Sequence, residues 1–142
     1  MVLSVNHPSP HVALVTFSEK TSRDTFSSGT IEDVVSTIDG LIEDSNTNAV
    51  VLTGTGKFFS AGGPVDKFDE AIDAGIIREL VESMTGHLHP LLLRMRRTPT
   101  VFVGAMNGAA AGGGLGLALS TDYRISNGKA KIAAAFFRLG LS

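Results

Sequence analysis

Apolar positions fall into two kinds of pattern along the chain. Short runs such as Val-Ala-Leu-Val-Thr-Phe at 12–17, Ala-Val-Val-Leu-Thr at 49–53 and Thr-Val-Phe-Val at 100–103 are β-branched and aromatic, and proline, glycine or polar residues bound them. Such runs read as strands. Ile31, Val34, Val35, Ile38, Leu41 and Ile42 instead recur at helical spacing. They predict an amphipathic helix with Thr30 as its N-cap, Asp33 at N3 and an end near Asp44. A second helical stripe begins after Lys67 with Phe68, Ala71 and Ile72, breaks at Gly75, and continues through Ile77, Leu80, Val81, Met84, Leu88, Leu91, Leu92 and Met95. Its breadth predicts a largely buried helix. Arg94, Arg96 and Arg97 suit its C-terminal dipole, and Pro99 ends it. Residues 123–126 and 130–133 read as short strands.

Strand, helix, strand, helix, strand, glycine turn, helix, strand is the order of a mainly parallel α/β layer architecture. Parallel strands need right-handed crossovers, so the loops after them open at the carboxyl end of the sheet, where α/β proteins bind ligands. Two such loops are rich in glycine. Residues 99–120 begin as a buried strand, turn through Gly112-Gly113-Gly114 and end in a Leu- and Ala-rich helix. A glycine triplet is poor helix interior but suits a helix N-terminus, where unpaired N–H groups and the dipole favour an oxyanion. In residues 54–65, Phe58 and Phe59 are apolar anchors, while Ala61, Gly62 and Gly63 bare the backbone. Pro64 restricts Gly63 to extended geometry, which leaves its N–H an aimed donor.

Residues 98–121 are uncharged and carry Gly104, Gly108, Gly112 and Gly116 at GxxxG spacing, which raises a membrane helix as an alternative. The glycines, the central Asn107 and the β-type start fit a buried strand, turn and helix better, so no membrane span is expected. Neither GxGxxG nor GxxxxGK[ST] occurs, which argues against a phosphate-cradling nucleotide loop. The chain has 142 residues, 43% of them hydrophobic, enough for one domain with a core. With 12 basic and 14 acidic residues and a net charge of -2, binding to nucleic acid through bulk charge is not expected. There is no cysteine, so disulfides and thiolate metal sites are excluded. His87 and His89, two apart on a helix, point to different sides and make no metal pair, and His7 and His11 suggest nothing. The N-terminus lacks the basic region and apolar run of a signal peptide, so an intracellular protein is expected, in cytoplasm or organelle matrix.

Two segments carry a family resemblance. Lys57-Phe-Phe-Ser-Ala-Gly-Gly and Pro99-Thr-Val-Phe-Val-Gly-Ala-Met-Asn-Gly-Ala-Ala-Ala-Gly-Gly-Gly-Leu-Gly, followed by Asp122 and Leu139-Gly140, resemble the enoyl-CoA hydratase/isomerase (crotonase) superfamily. The resemblance implies a spiral of ββα units with mainly parallel strands that binds an acyl-CoA thioester, coenzyme A entering as part of the substrate and no separate cofactor being needed. It places the thioester carbonyl between the backbone N–H groups of Gly63 and Gly113, with Ala61, Gly62 and Gly112 beside them. It also implies that CoA lies against the loop Ser22-Arg23-Asp24-Thr25, where Arg23 and Thr25 are the candidate contacts and where the family's usual Asn-Ala pair is Asp24-Thr25. Family members assemble as trimers or pairs of trimers.

The resemblance covers only about the N-terminal half of a typical member, and residues 131–142 run from a strand into a loop. The expectation is therefore a truncated chain whose residues 1–142 form the N-terminal part of one acyl-CoA-binding domain. Departures from the family pattern bear on chemistry. The two glutamates of hydratases fall on Gly116 and Phe136, neither able to exchange a proton. The histidine of dehalogenase-like members falls on Leu91, and Pro64 stands where Asp or Asn is usual. Asp66, Asp69, Glu70 and Glu82 are read as a solvated helix face, and Asp122 as capping or pinning the strand after the glycine helix. The expected chemistry is isomerase-type, through an enolate, with any catalytic carboxylate outside these residues. The alternatives are a hydratase with displaced acid and base, and a silent member that binds acyl-CoA or assembles with partners.

Overall fold

The computed structural model describes residues 1–64 and 66–135. Its elements run β1 (Leu3–Ser9), β2 (Val12–Phe17), α1 (Glu19–Arg23), α2 (Thr30–Glu43), β3 (Ala49–Thr53), β4 (Phe58–Ser60), α3 (Asp66–Asp73), α4 (Ile77–Arg97), β5 (Val101–Met106), β6 (Ala109–Ala111), α5 (Gly113–Leu119), β7 (Tyr123–Ser126) and β8 (Ile132–Ala133). They build a five-stranded sheet ordered β1-β2-β3-β5-β7 and a three-stranded sheet ordered β4-β6-β8. Among the described residues, β1 and β2 pair antiparallel and every other pairing is parallel. After the β1–β2 hairpin and the helices α1 and α2, the chain lays one strand in the large sheet and one short strand in the small sheet three times, as β3 and β4, β5 and β6, β7 and β8, with helices after the first two of these pairs. The result is the mainly parallel ββα spiral that the glycine motifs imply.

Alternation in the strands decides where the core lies. Ala13, Val15 and Phe17 of β2, Val50 and Leu52 of β3, and Phe102 and Met106 of β5 all face one side of the large sheet and are buried. They pack with Ile31, Val34 and Ile38 of α2 and with Leu88, Leu91 and Met95 of α4. Burying a side chain of this size contributes roughly 1.5–3 kcal/mol. Phe17 and Phe59 meet edge to face with ring centroids 6.3 Å apart, joining the large sheet to the small one. Outside the core, Arg94 of α4 reaches Asp39 and Glu43 of α2 at 2.9 and 3.1 Å.

Several expectations need correction. Gly29, not Thr30, caps α2, and Glu32 rather than Asp33 stands at N3, where its carboxylate accepts from the Gly29 N–H. The helix over 77–97 is not largely buried: only Leu88, Leu91 and Met95 are, while Leu93 and the exposed Pro90 face solvent. Its broad stripe includes positions that flank the core without entering it. Strand β1 was unforeseen because Pro8 reads as a breaker, yet a sheet edge tolerates proline, which needs no outward donor there. Strands β4 and β6, three residues each, are too short to show a period. Among the described residues, no helix is long and apolar enough to cross a membrane.

Candidate active site

Strands β4 and β6 are parallel neighbours, with Phe58 paired to Ala109 and Ser60 to Ala110. Parallel neighbours end on the same side of a sheet, so the segments that follow them, Ala61-Gly62-Gly63 and Gly112-Gly113-Gly114, emerge side by side. Contact between them is close: a Cβ on Gly62 would lie 3.0 Å from the Ala111 carbonyl oxygen and 3.3 Å from the Gly113 nitrogen. Gly62 also has φ +96°, where a side chain would strain the backbone.

The donors of the first loop are used up in order until Gly63. The Ala61 N–H donates to the Ser22 carbonyl at 2.8 Å, and the Gly62 N–H to the Ser60 hydroxyl at 3.3 Å. The Gly63 N–H has no acceptor among the described residues. The second loop repeats the arrangement. Gly112 donates to the Ala133 carbonyl at 3.1 Å, while Gly113 and Gly114, in the first turn of α5, have no acceptor among the described residues. Gly63 and Gly113 are both partly open to solvent. Each of two abutting loops thus carries an N–H group without an acceptor among the described residues, a kind of donor that suits an oxygen gaining negative charge.

A buried polar chain holds this arrangement. Ser60 Oγ accepts from Gly62, lies 2.7 Å from Thr25 Oγ1, and Thr25 Oγ1 donates to the Thr21 carbonyl at 2.8 Å. Since the Thr25 proton goes to Thr21, the Ser60 proton goes to Thr25. Each hydroxyl therefore donates once and the chain is satisfied. The Phe26 N–H donates to the Gly62 carbonyl at 3.2 Å, which ties the loop after α1 to the first glycine loop. Asn107 does the same for the two strand-to-strand corners: its Oδ1 accepts from the Gly54 N–H at 2.8 Å and its Nδ2 donates to the Phe58 carbonyl at 3.1 Å. Side chains press on the glycines from behind. A Cβ on Gly113 would come within 2.6 Å of the buried Phe26 ring and 3.3 Å of Leu88, and one on Gly63 within 2.7 Å of the Met84 sulfur.

The structure brings Ala61, Gly62, Gly63, Gly112 and Gly113 together and puts the two candidate CoA contacts in different surroundings, one exposed and one buried. Arg23 is exposed, paired with Glu19 at 3.0 Å and placed 5.8 Å from the Phe58 ring centroid. Thr25 is fully buried and its hydroxyl is committed inside the protein, so its side chain shapes the loop instead of facing solvent. Asp66, Asp69, Glu70 and Glu82 are exposed, as a solvated face requires. Leu91 is buried in the core. Asp122 pins β5, the strand before the glycine helix, and not the strand after it as expected: its carboxylate accepts from the Phe102 N–H at 2.8 Å and from Arg96 at 2.6 Å. Gly116 lies on α5 with open space where a Cβ would stand. Phe136, Leu139 and Gly140 lie outside the described residues. Among the described residues no group of three or more His, Asp or Glu side chains could hold a metal.

Ser60, Phe26, Met84 and Leu88 had not been singled out as site residues. Met84 and Leu88 sit four apart within the α4 stripe, and Phe26 is a lone aromatic in a polar run; either signal marks a buried side chain without saying what it touches. A hollow of about 280 Å³ lined by Thr53, Ala105, Asn107, Ile125 and Asn127 among others opens at the carboxyl ends of β3, β5 and β7, apart from the glycine loops.

Spiral ββα topology with two glycine loops facing each other defines a protein of the crotonase class. The enoyl-CoA hydratase/isomerase family model matches residues 8–142, and the chain belongs to that family. A trans-2-decenoyl-(acyl-carrier-protein) isomerase of Streptococcus mutans is 26% identical over 131 residues, which are 92% of this chain and 49% of that protein. The crystal structure of an enoyl-CoA hydratase from Bacillus anthracis superposes with a TM-score of 0.83 at 27% identity, over 99% of this chain and 53% of that one. A monofunctional enoyl-CoA isomerase from M. smegmatis superposes with a TM-score of 0.70 at 28% identity, over 92% and 52%. The chain spans about half the length of the relatives it matches.

Proposed function

We propose that residues 1–142 supply the oxyanion-stabilising part of an acyl-CoA enzyme whose chemistry is isomerase-type. The thioester carbonyl oxygen accepts from the N–H groups of Gly63 and Gly113. A base removes the proton at C2 of a 3-enoyl thioester, the electron pair forms an enolate whose oxygen sits between those donors, and collapse of the enolate returns the proton to C4 while the double bond moves to C2–C3. Preorganised donors of this kind are each worth about 3 kcal/mol of transition-state stabilisation. The observation that carries the reading is the pair of acceptorless N–H groups on abutting loops.

Gly116 favours isomerisation over hydration. Adding water across a double bond needs a group to hold and deprotonate the water, and no carboxylate stands at this position of α5. The proton carrier for the 1,3-shift is proposed to come from outside residues 1–142. The same glycine supports a second reading, a member that binds acyl-CoA without turning it over.

Isotope-edited infrared spectroscopy of a bound acyl-CoA with a labelled carbonyl tests the site directly. The carbonyl stretch is expected to move to lower frequency than in free solution, and a bound thioester with an unshifted carbonyl sinks the reading. Gly113→Ala should abolish the shift and destabilise the fold by about 1–3 kcal/mol as the new Cβ meets Phe26. Gly116→Ala should preserve the shift and stabilise α5 by up to about 1 kcal/mol. Turnover of a 3-enoyl-CoA to its 2-enoyl isomer separates the isomerase from the silent binder, and turnover only from a 2-enoyl-CoA to a hydroxyacyl-CoA overturns the isomerase assignment.

A further inference from the structure

An asparagine followed by glycine can be attacked by its own backbone. The glycine nitrogen bonds to the asparagine Cγ, and with no Cβ on the glycine little obstructs the approach. The chain has two such pairs, Asn107-Gly108 and Asn127-Gly128, and the fold treats them differently. At the first pair the side-chain amide is held at both ends. Its Oδ1 accepts from the Gly54 N–H at 2.8 Å, and its Nδ2 donates to the Phe58 and Gly56 carbonyls at 3.1 and 3.3 Å. Gly108 is buried, with the Lys57 carbonyl packed against it. Ring closure there would break the Asn107 links and needs room that Lys57 occupies.

The second pair lies in an exposed turn between β7 and β8. Gly128 has φ +76°, a conformation that favours glycine. Three contacts arrange the reacting atoms. The Gly128 N–H donates to the Ser126 hydroxyl at 3.1 Å, so an acceptor stands beside the proton that the nitrogen must lose. The Lys129 N–H donates to Asn127 Oδ1 at 2.9 Å, which places a donor on the oxygen that gains charge when Cγ is attacked. Nδ2, the leaving group, donates to the Asn107 carbonyl at 2.8 Å. The Lys129 donor and the Asn107 acceptor together fix which end of the amide is oxygen.

We propose that Asn127 is a spontaneous modification site, closing on Gly128 to a succinimide and opening to aspartate or isoaspartate, while Asn107 keeps its amide. The Gly128 nitrogen bonds to Cγ and its proton passes by way of Ser126 to solvent. The Cγ–Nδ2 bond breaks, and Nδ2 leaves as ammonia after taking up a proton. Water then opens the ring at either carbonyl, so the net reaction consumes a water and releases an ammonia with no change of oxidation state. Either product undoes the link to Asn107, because a carboxylate only accepts and here faces another acceptor. Isoaspartate also adds a backbone carbon to residues 127–131, which lead into β8. The Lys131 and Ala133 carbonyls hold the Ala110 and Gly112 N–H groups at 2.9 and 3.1 Å, so the change reaches the second glycine loop. The proposal stands or falls independently of what that loop binds.

The test incubates the folded 142-residue chain in mildly alkaline buffer beside the peptide Ile-Ser-Asn-Gly-Lys, with peptide mapping and enzymatic methylation of isoaspartate as readouts. Asn127 is expected to convert at least as fast as the peptide, giving both isomers and the mass gain of replacing NH2 by OH, with Asn107 intact. Ser126→Ala, at an exposed position, should slow conversion severalfold in the folded chain and leave the rate of the matching peptide unchanged. The modified protein, separated by ion exchange, should exchange its Ala110 and Gly112 amides about tenfold faster than the unmodified protein. Three results overturn the proposal: an Asn127 amide that survives in the folded chain for as long as the peptide takes to convert, conversion at Asn107 as fast as at Asn127, or a folded Ser126→Ala chain that converts at the unchanged rate. Unaltered exchange at Ala110 and Gly112 in the modified protein would overturn the stated reach to the glycine loop.

Discussion

One carboxyl oxygen of Asp24 is buried without a hydrogen-bond partner among the described residues. Burial pushes the Asp24 pKa up, Asp66 adds to the rise, and Lys67 and Lys20 oppose it. The folded state therefore holds this proton more tightly than the unfolded one. Stability from this group is greatest at low pH and declines as pH rises from the ordinary aspartate value through the raised one. Asp24→Asn is expected to raise Tm at pH 7 and to change nothing near pH 3; an unchanged or lower Tm at pH 7 would count against a penalised charge. Asp44 has the opposite sign. Hydrogen bonds from the Asn46 N–H and the Thr47 hydroxyl lower its pKa, so its contribution is present above the ordinary value and lost as pH falls through the lowered one. Asp44→Asn should lower Tm at pH 7, with the difference closing in acid. At this scale the sequence was readable where a residue's chemistry is its backbone. Gly63 and Gly113 stand out because they lack side chains, whereas Ser60 and Phe26 matter through tertiary contacts that no local pattern encodes.

Among the elements, β5 is paired with β3 and β7 and is tied near its start by one carboxylate as well. Asp122 accepts from the Phe102 N–H and its own N–H donates to the Phe102 carbonyl at 2.8 Å. Asp122→Ala leaves the N–H of the buried Phe102 without its acceptor, an expected loss of about 1–3 kcal/mol in urea unfolding. Arg96→Ala removes only a surface partner of the same carboxylate, side chain 55% exposed, and should cost about 1 kcal/mol or less. Equal losses in the two variants would show that the ion pair, not the backbone contact, holds the strand. The chain at 12–17 and 49–53 and the stripe over 31–42 gave their elements almost to the residue, because the two runs are β-branched and bounded by turn residues and the stripe recurs at helical spacing. Three-residue strands have no period to display. The β4 and β6 strands exist because parallel pairing with each other satisfies their backbones.

For the molecule as a whole, the layer architecture was legible because parallel strands separated by helices admit few arrangements. The division into two sheets was not, since it depends on where β4 and β6 leave the large sheet. The same topology explains the exposed apolar strip at β7. Replacing Tyr123 and Ile125 together with lysine should raise the concentration at which the free chain stays monomeric without lowering its Tm, as measured by light scattering and thermal unfolding, since charged edges resist strand addition. A fall in Tm would mean that those side chains already support the isolated fold.

The adjacency of the two glycine loops has a consequence for the order of folding. Their alignment requires parallel pairing of β4 with β6 and the Asn107 link to Phe58, whose partners stand 49 residues apart in sequence. Contacts of such long range close after local helices and turns have formed, because the intervening chain must give up its freedom first. The donors at Gly63 and Gly113 therefore come into line only once the spiral has closed on itself. On the role proposed for Gly63 and Gly113, a partly folded chain has both glycine segments and no place to put an oxyanion, so affinity for an acyl-CoA would report completed folding of these residues.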